Sequence, residues 1–195
     1  MPHRVIELHN IMPIGNIPSV LAHGILSYER AAGLPHSDVS MADVQDRRDK
    51  VQVPGGMRLH QYANLYFDAR NPMMYKRLPQ ADGLCVLSVS TQVLGLPGVV
   101  ISDQNAASDY VRFYPPAAIG FLNFDQIFAD DWRHPEDRIA YWRHKSAKCA
   151  EVLVPHAVPF DYVQKGYVAS EAARTQLLAA GFSRPVELMP RLFFR

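Results

Sequence analysis

Apolar positions along this chain come in short runs rather than long helical stripes. Val5 to Leu8 is a short β-prone stretch ending at His9, after which Asn16 or Pro18 can open a helix through Ala22 that Gly24 stops. From Ser27 to Arg58 the apolar residues thin out and lose their period, and Pro35, Pro54, Gly55 and Gly56 punctuate the segment. A connection of that length inside a compact domain is usually functional or unstructured. Leu65 to Phe67 reads as a strand end, and Asn71-Pro72-Met73 as a turn into a short helix. Leu84 to Val89 and Gly98 to Ile101 read as buried strands, while Ala106 to Tyr114 suits a helix, a strand or one after the other. Phe121 to Phe124 reads as a further strand. Pro135 to Ala150 reads as a helix, with Pro135 tolerated in its first turn beside Glu136 and Asp137. Glu151 to Val154 is β-like and ends at Pro155, Tyr167 and Val168 form a strand, Glu171 to Ala180 a helix stopped by Gly181, and Val186 to Leu188 the last strand. Short strands mixed irregularly with helices predict an α+β domain, one unit over residues 1–195, and disfavour a regular parallel βαβ fold.

Composition agrees with one core of ordinary size: 195 residues, 48% hydrophobic and 20% charged. No apolar run approaches the length of a bilayer crossing, and Met1 to Leu8 does not read as a secretion signal, so the expectation is a cytoplasmic protein without a membrane partner. The two cysteines, Cys85 and Cys149, make neither a disulfide framework nor a zinc spacing, which predicts a reducing compartment and no metal. A net charge of +1 exerts little long-range pull on nucleic acid, so such a partner would need a local cluster. One exists. From Trp132 to Lys148, Arg133, Arg138, Arg143, Lys145 and Lys148 stand against Glu136 and Asp137, with Trp132, Tyr141 and Trp142 interleaved. By composition alone the same stretch describes a solvated helix face with its rings turned inward.

Familiar catalytic signatures are missing: no Gly-x-Ser-x-Gly elbow, no His-Glu-x-x-His, no Cys-x-x-Cys, and neither glycine-rich phosphate loop. A nucleotide, if bound, is held by another fold. The informative pieces are Leu8-His9-Asn10, Asp46-Arg47-Arg48, Tyr66-Phe67 with Asn71-Pro72-Met73-Met74-Tyr75, and Lys148-Cys149-Ala150-Glu151 running into Val152-Leu153-Val154-Pro155. Glu151 opens an apolar strand, where a carboxylate is out of character unless it faces a cleft or a partner; as an isolated residue it reads equally well as an exposed acid at a strand end.

In that order and at those separations, from about His9 to about Gly181, the pieces resemble the DarT family of DNA ADP-ribosyltransferases. The resemblance implies the ADP-ribosyltransferase fold, two packed and mostly antiparallel sheets with flanking helices and a cleft for NAD⁺. It implies that His9, Asn16, Tyr66, Phe67 and Met73 contact NAD⁺, with one ring of Tyr66 and Phe67 on the nicotinamide and the other in the core. It also implies that Arg47 or Arg48 serves activity, a guanidinium being suited to bidentate binding of pyrophosphate. Glu151 becomes the catalytic carboxylate, facing the positive charge that develops on the ribose as nicotinamide leaves and taking a proton from the attacking base. The acceptor is then an unpaired DNA base, thymine before guanine, since a base stacked in a duplex cannot reach a cleft. Trp132, Arg133, Trp142, Arg143, Lys145 and Lys148 become the expected DNA contacts. A toxin role and a macrodomain antitoxin partner, DarG-like, come with the resemblance. Asn105 departs from it, standing where some members have histidine, and the Tyr28 to Lys50 segment is short; both bear on the acceptor rather than on NAD⁺. Two other readings keep part of this picture: NAD⁺ chemistry on RNA or protein, and a noncatalytic nucleic-acid-binding module on the same fold.

Overall fold

The computed structural model describes residues 5–36 and 42–195, with the side chains of 42–44 left aside. In chain order the strands are β1 (Leu8–Pro13), β2 (Ile25–Leu26), β3 (Tyr62–Tyr66), β4 (Leu84–Val89), β5 (Val100–Ser102), β6 (Phe113–Tyr114), β7 (Glu151–Pro155), β8 (Ala157–Val158), β9 (Val163–Val168) and β10 (Val186–Leu188). The helices are α1 (Ile17–His23), α2 (Tyr28–Ala31), α3 (Ala42–Asp49), α4 (Pro72–Lys76), α5 (Phe124–Ile127), α6 (Arg138–Ala147) and α7 (Glu171–Ala179).

The α+β architecture is the one expected. Eight strands form one ladder in the order β10-β9-β4-β1-β3-β7-β5-β6, antiparallel throughout except for the β9–β10 pair, and β2 with β8 makes a separate two-stranded ribbon. The two sheets implied by the resemblance appear as two halves of that ladder, because it nearly parts in the middle. β1 pairs with β4 along its whole length, from Leu8 opposite Val89 to Pro13 opposite Leu84, but shares with β3 only the pair His9 and Tyr66. Beyond that pair the Asn10 side chain reaches over, its Nδ2 donating to the Asn64 carbonyl at 3.1 Å.

Alternation along the central strands sorts the core. Leu8 and Met12 of β1, Cys85 and Leu87 of β4, Leu65 of β3 and Val152 of β7 share one face with Ile17 of α1 and Leu177 of α7. Ile11, Leu84, Val86 and Tyr167 take the other face with Met74 and Phe193. Local signals fix the helix ends. Pro18 lies in the first turn of α1 and Gly24 ends it at φ 77°, where a Cβ would stand 2.3 Å from the Val158 carbonyl oxygen, so no other residue fits between α1 and the ribbon. Asn71 caps α4 by accepting from the amides of Met73 and Met74.

Four expectations change. The first strand, expected over Val5 to Leu8, runs instead over Leu8–Pro13. Residues 121–124 are not a strand: a 3-10 turn, Pro116–Phe121, gives way to α5, whose cap Asn123 accepts from the Gln126 amide, so proline and cap chemistry outweigh the aromatic β-propensity. The helix expected from Pro135 starts at Arg138, because the Asp137 carboxylate accepts from the Ala140 amide at 2.8 Å and leaves Pro135 in the preceding loop. The long connection after α1 contains α2 and α3, with residues 37–41 outside the described set. Among the described residues no helix is long and apolar enough to cross a membrane.

Just before β1, Glu7 ties three strands together, accepting from Ser88 of β4 and from Tyr167 Oη of β9 at 2.8 Å, with His9 Nε2 at 3.2 Å. Burial pushes its carboxyl up, but the bonds from His9, Ser88 and Tyr167 outweigh that and bring it from 4.5 to about 2. The stabilisation is therefore complete above about pH 4.5 and is lost as pH falls through about 2. Glu7→Gln is expected to cost about 2 kcal/mol at neutral pH. Urea unfolding at stepped pH should show that deficit shrinking as the medium is acidified below the ordinary carboxylate range; a deficit independent of pH contradicts the assignment.

Candidate functional site

Glu151 is the first residue of β7, paired with Tyr66 of β3, and only 1% exposed. Its amide donates to Ser102 Oγ at 3.1 Å, and its carboxylate accepts from the Ala106 amide at 2.9 Å. Arg48 of α3 supplies the counter-charge: Nη1 lies 3.1 Å from both carboxylate oxygens. Arg48 is itself only 8% exposed. Burial pulls its pKa down, but the charge and hydrogen bonds of Glu151 more than compensate, so the guanidinium stays charged. Neighbouring groups feel the carboxylate too. Burial first, and Glu151 second, push up the Tyr66 phenol, and the same two causes carry the Cys149 thiol to about 12, which makes it a poor nucleophile.

The helix that carries Arg48 is held by His60, which precedes β3. The His60 ring packs 4.4 Å from that of Tyr28, its Nε2 lies 2.9 Å from Gln45 Oε1, and its Nδ1 lies 3.3 Å from Asp49 Oδ1. Burial lowers the His60 pKa, with Asp49 opposing.

A cavity of about 1270 Å³ opens where β1 and β3 part. Asn16, Tyr66 and Met73, together with Arg47 and Arg48, line it, and so do Trp142, Arg143 and Lys145 of α6. Residues expected to hold a nucleotide and residues expected to meet DNA thus share one space. Among the described residues of its lining, seven are Lys or Arg and two are Asp, in a chain whose net charge is only +1. The cavity concentrates positive charge that the whole molecule lacks.

Other expected positions lie elsewhere. His9 is buried and turned to Glu7; it does not line the cavity, although Asn10 beside it does, and its Nδ1 has no partner among the described residues. Phe67 is corrected from cofactor contact to core: strand alternation turns it away from Tyr66, and it is fully buried edge-on against Phe124. Trp132 is likewise not a surface ring, being buried edge-on to Tyr75 and Phe194. Arg133 is exposed but closed onto Asp131 and outside the cavity lining. Lys148 is corrected most firmly: its ammonium is buried and bonded to Asp68, to the Ile127 carbonyl at 2.9 Å and to the Ala129 carbonyl at 2.8 Å, which occupies all three donors. Sequence reasoning missed Ala106, Ser102, His60 and Asp68. An amide donor and a hydroxyl under a strand carry no sequence signal.

Lys148→Met is accordingly expected to lower stability by about 3 kcal/mol, since it strands Asp68 and two carbonyls, whereas exposed Arg143→Ala should change it by less than about 0.5 kcal/mol. Chemical unfolding of the two variants checks this, and equal stabilities would return Lys148 to the surface.

The family model described as "ssDNA thymidine ADP-ribosyltransferase, DarT" matches residues 9–194. A "DNA ADP-ribosyl transferase-DNA ADP-ribosyl glycohydrolase fusion protein" of Thermosipho africanus is 29% identical over 94% of this chain, which spans about half (48%) of that relative's length. The structure of Thermosipho africanus DarTG in complex with ADP-ribose superposes with a TM-score of 0.82 over 97% of this chain and 51% of the other, at 29% identity. Thermus sp. 2.9 DarT in complex with ADP-ribosylated ssDNA gives a TM-score of 0.84 at 23% identity over 97% of this chain and 96% of the other. The same protein in complex with NAD⁺ gives 0.80 at 22% identity, over 98% of each chain.

Proposed function

The chain belongs to the DarT family, and from that premise we propose that it transfers ADP-ribose from NAD⁺ to a base of single-stranded DNA, thymine before guanine, with Glu151 as its catalytic carboxylate. One observation carries the reading: a buried carboxylate held by the Ala106 amide and by Arg48, a guanidinium that itself lines a strongly basic cavity. The family model's own description supports thymine.

In this mechanism the diphosphate of NAD⁺ competes with Glu151 for Arg48, the cavity-lining guanidinium best placed to exchange one anion for another. The carboxylate, still held by the Ala106 amide, is then available to the nicotinamide ribose. As the bond between ribose C1′ and the nicotinamide nitrogen lengthens, positive charge grows on the ribose, and a fixed carboxylate in a site poor in water stabilises that charge more than it stabilises bound NAD⁺. Nicotinamide leaves with the bonding electrons, the base nitrogen forms the new bond to C1′, and its proton passes to Glu151. Ground-state contacts from Asn16, Tyr66 and Met73 orient the cofactor, and Trp142, Arg143 and Lys145 receive the unpaired strand.

A toxin acting in the cytoplasm, where NAD⁺ and unpaired DNA meet, completes the reading. Its partner is an enzyme of the macrodomain type that removes ADP-ribose; the Thermosipho relative, whose name joins transferase to glycohydrolase, supports this pairing.

Incubation with NAD⁺ and single-stranded oligonucleotides, with matched RNA and duplex controls, is expected to add one ADP-ribose to DNA at thymine, read by intact mass. Glu151→Ala should lower the rate by about a thousandfold. Modification confined to RNA or to protein overturns the acceptor, and NAD⁺ that is neither bound nor consumed overturns the enzyme in favour of a binding module. Arg48→Lys should lose more turnover than Arg47→Lys, since an ammonium cannot reproduce the planar fork that binds a diphosphate in bidentate fashion; the reverse order would assign the role to Arg47.

A further inference from the structure

We propose that Tyr110 and Phe121 form a ledge on which bases flanking the acceptor stack, so that this surface reads the sequence around the modified position. The inference rests on the reading of unpaired DNA as the substrate. Among the described residues, Tyr110 is 86% and Phe121 78% exposed, the two most exposed aromatic rings, and both line the cavity.

Their backbone is built to present them. Asp103 closes the loop that carries Tyr110: its carboxylate accepts from the Arg112 amide at 3.0 Å and its own amide donates to the Arg112 carbonyl at 3.2 Å. Phe121 ends the turn that follows β6, and Tyr114 of β6 backs it with ring centroids 6.2 Å apart and a tilt of 35°. Trp142 is less available. Lys145 Nζ sits 4.7 Å from the centre of its ring, and Tyr141 packs against it edge-on at 5.3 Å. The most exposed aromatic rings therefore lie on the β5-to-α5 side, across from the half-exposed Trp142 of α6.

Charge decides the kind of partner. Arg112 follows Tyr110 closely and lines the same cavity as Arg143 and Lys145, and of the cavity's two acids Asp103 is already engaged by a backbone amide. Planar rings beside cations suit unpaired bases with their phosphates; a duplex hides its base faces. The segment also reaches the chemistry, because the Ala106 amide that holds Glu151 and the Asn105 amide that donates to Ser146 of α6 both belong to it.

Fluorescence anisotropy with a labelled, thymine-containing single-stranded oligonucleotide tests the ledge without requiring turnover. Tyr110→Ala and Phe121→Ala are each expected to weaken binding about tenfold, while Tyr110→Phe and Phe121→Trp, which keep a ring, stay within about threefold of wild type. Oligonucleotides with abasic sites beside the thymine should bind the wild type about tenfold more weakly, and should lose little more on the alanine variants, as expected for two changes that remove one contact. Unchanged affinity of the alanine variants, or additive losses from abasic sites, overturns the ledge. If the wild type binds the strand through these rings yet never modifies it, the ledge stands and the enzymatic reading falls.

Discussion

A carboxylate taken almost wholly out of water requires a counter-charge, and Glu151 finds one in Arg48, 103 positions away in sequence. Much of the architecture follows from keeping those two groups together. α3 has to close over the start of β7, and His60 holds it there through Gln45 and Asp49. The segment after β5 has to deliver the Ala106 amide to the same carboxylate, and Ser102 has to satisfy the Glu151 amide from the neighbouring strand. The sheet has to part between β1 and β3, because a fully paired ladder would leave no room for a cavity beside this pair.

A second buried cation stands at the end of α6, just ahead of the same strand. Three residues before Glu151, Lys148 gathers Asp68 from beyond β3, the carbonyl of Ile127 at the end of α5 and that of Ala129 just after it. One cation thus sets the charge at the site, while the other fixes the frame through which α6 and the turn before it approach the cavity. Removing either leaves buried polar atoms without partners, which is costlier than losing a surface charge. The positive groups that remain on the cavity wall explain how a chain of nearly neutral net charge can still attract polyanions locally.

Some of this was legible in the sequence. Glu151 stood out because an acid heading the run Val152-Leu153-Val154 needs a reason, and Pro18, Gly24 and Asn71 announced their helix ends through backbone chemistry that hardly depends on context. Arg47 and Arg48 were not separable, since adjacent helical residues point about 100° apart and only the packing of α3 decides which one faces β7. Lys148 looked like part of a basic surface, because its partners are mainly backbone carbonyls supplied by another segment. The partition of Tyr66 to the cavity and Phe67 to the core obeyed strand alternation, but which residue took which face depended on β3 pairing with β7. The parting of the sheet was invisible: only the start of β1 and the end of β3 were marked in the sequence, and nothing in their composition reveals that they share a single pair.

The central claim is that Arg48 and Glu151, bonded to each other in this structure, divide NAD⁺ between them when it binds. A crystal structure of this chain with an uncleavable NAD⁺ analogue tests it most directly. The account predicts the nicotinamide ribose within about 3 Å of the Glu151 carboxylate, with the Arg48 guanidinium turned to the diphosphate and the Ala106 amide still on Glu151. An analogue bound outside the cavity, or bound within it while the Arg48–Glu151 pair stays closed and the ribose lies out of reach, would contradict it.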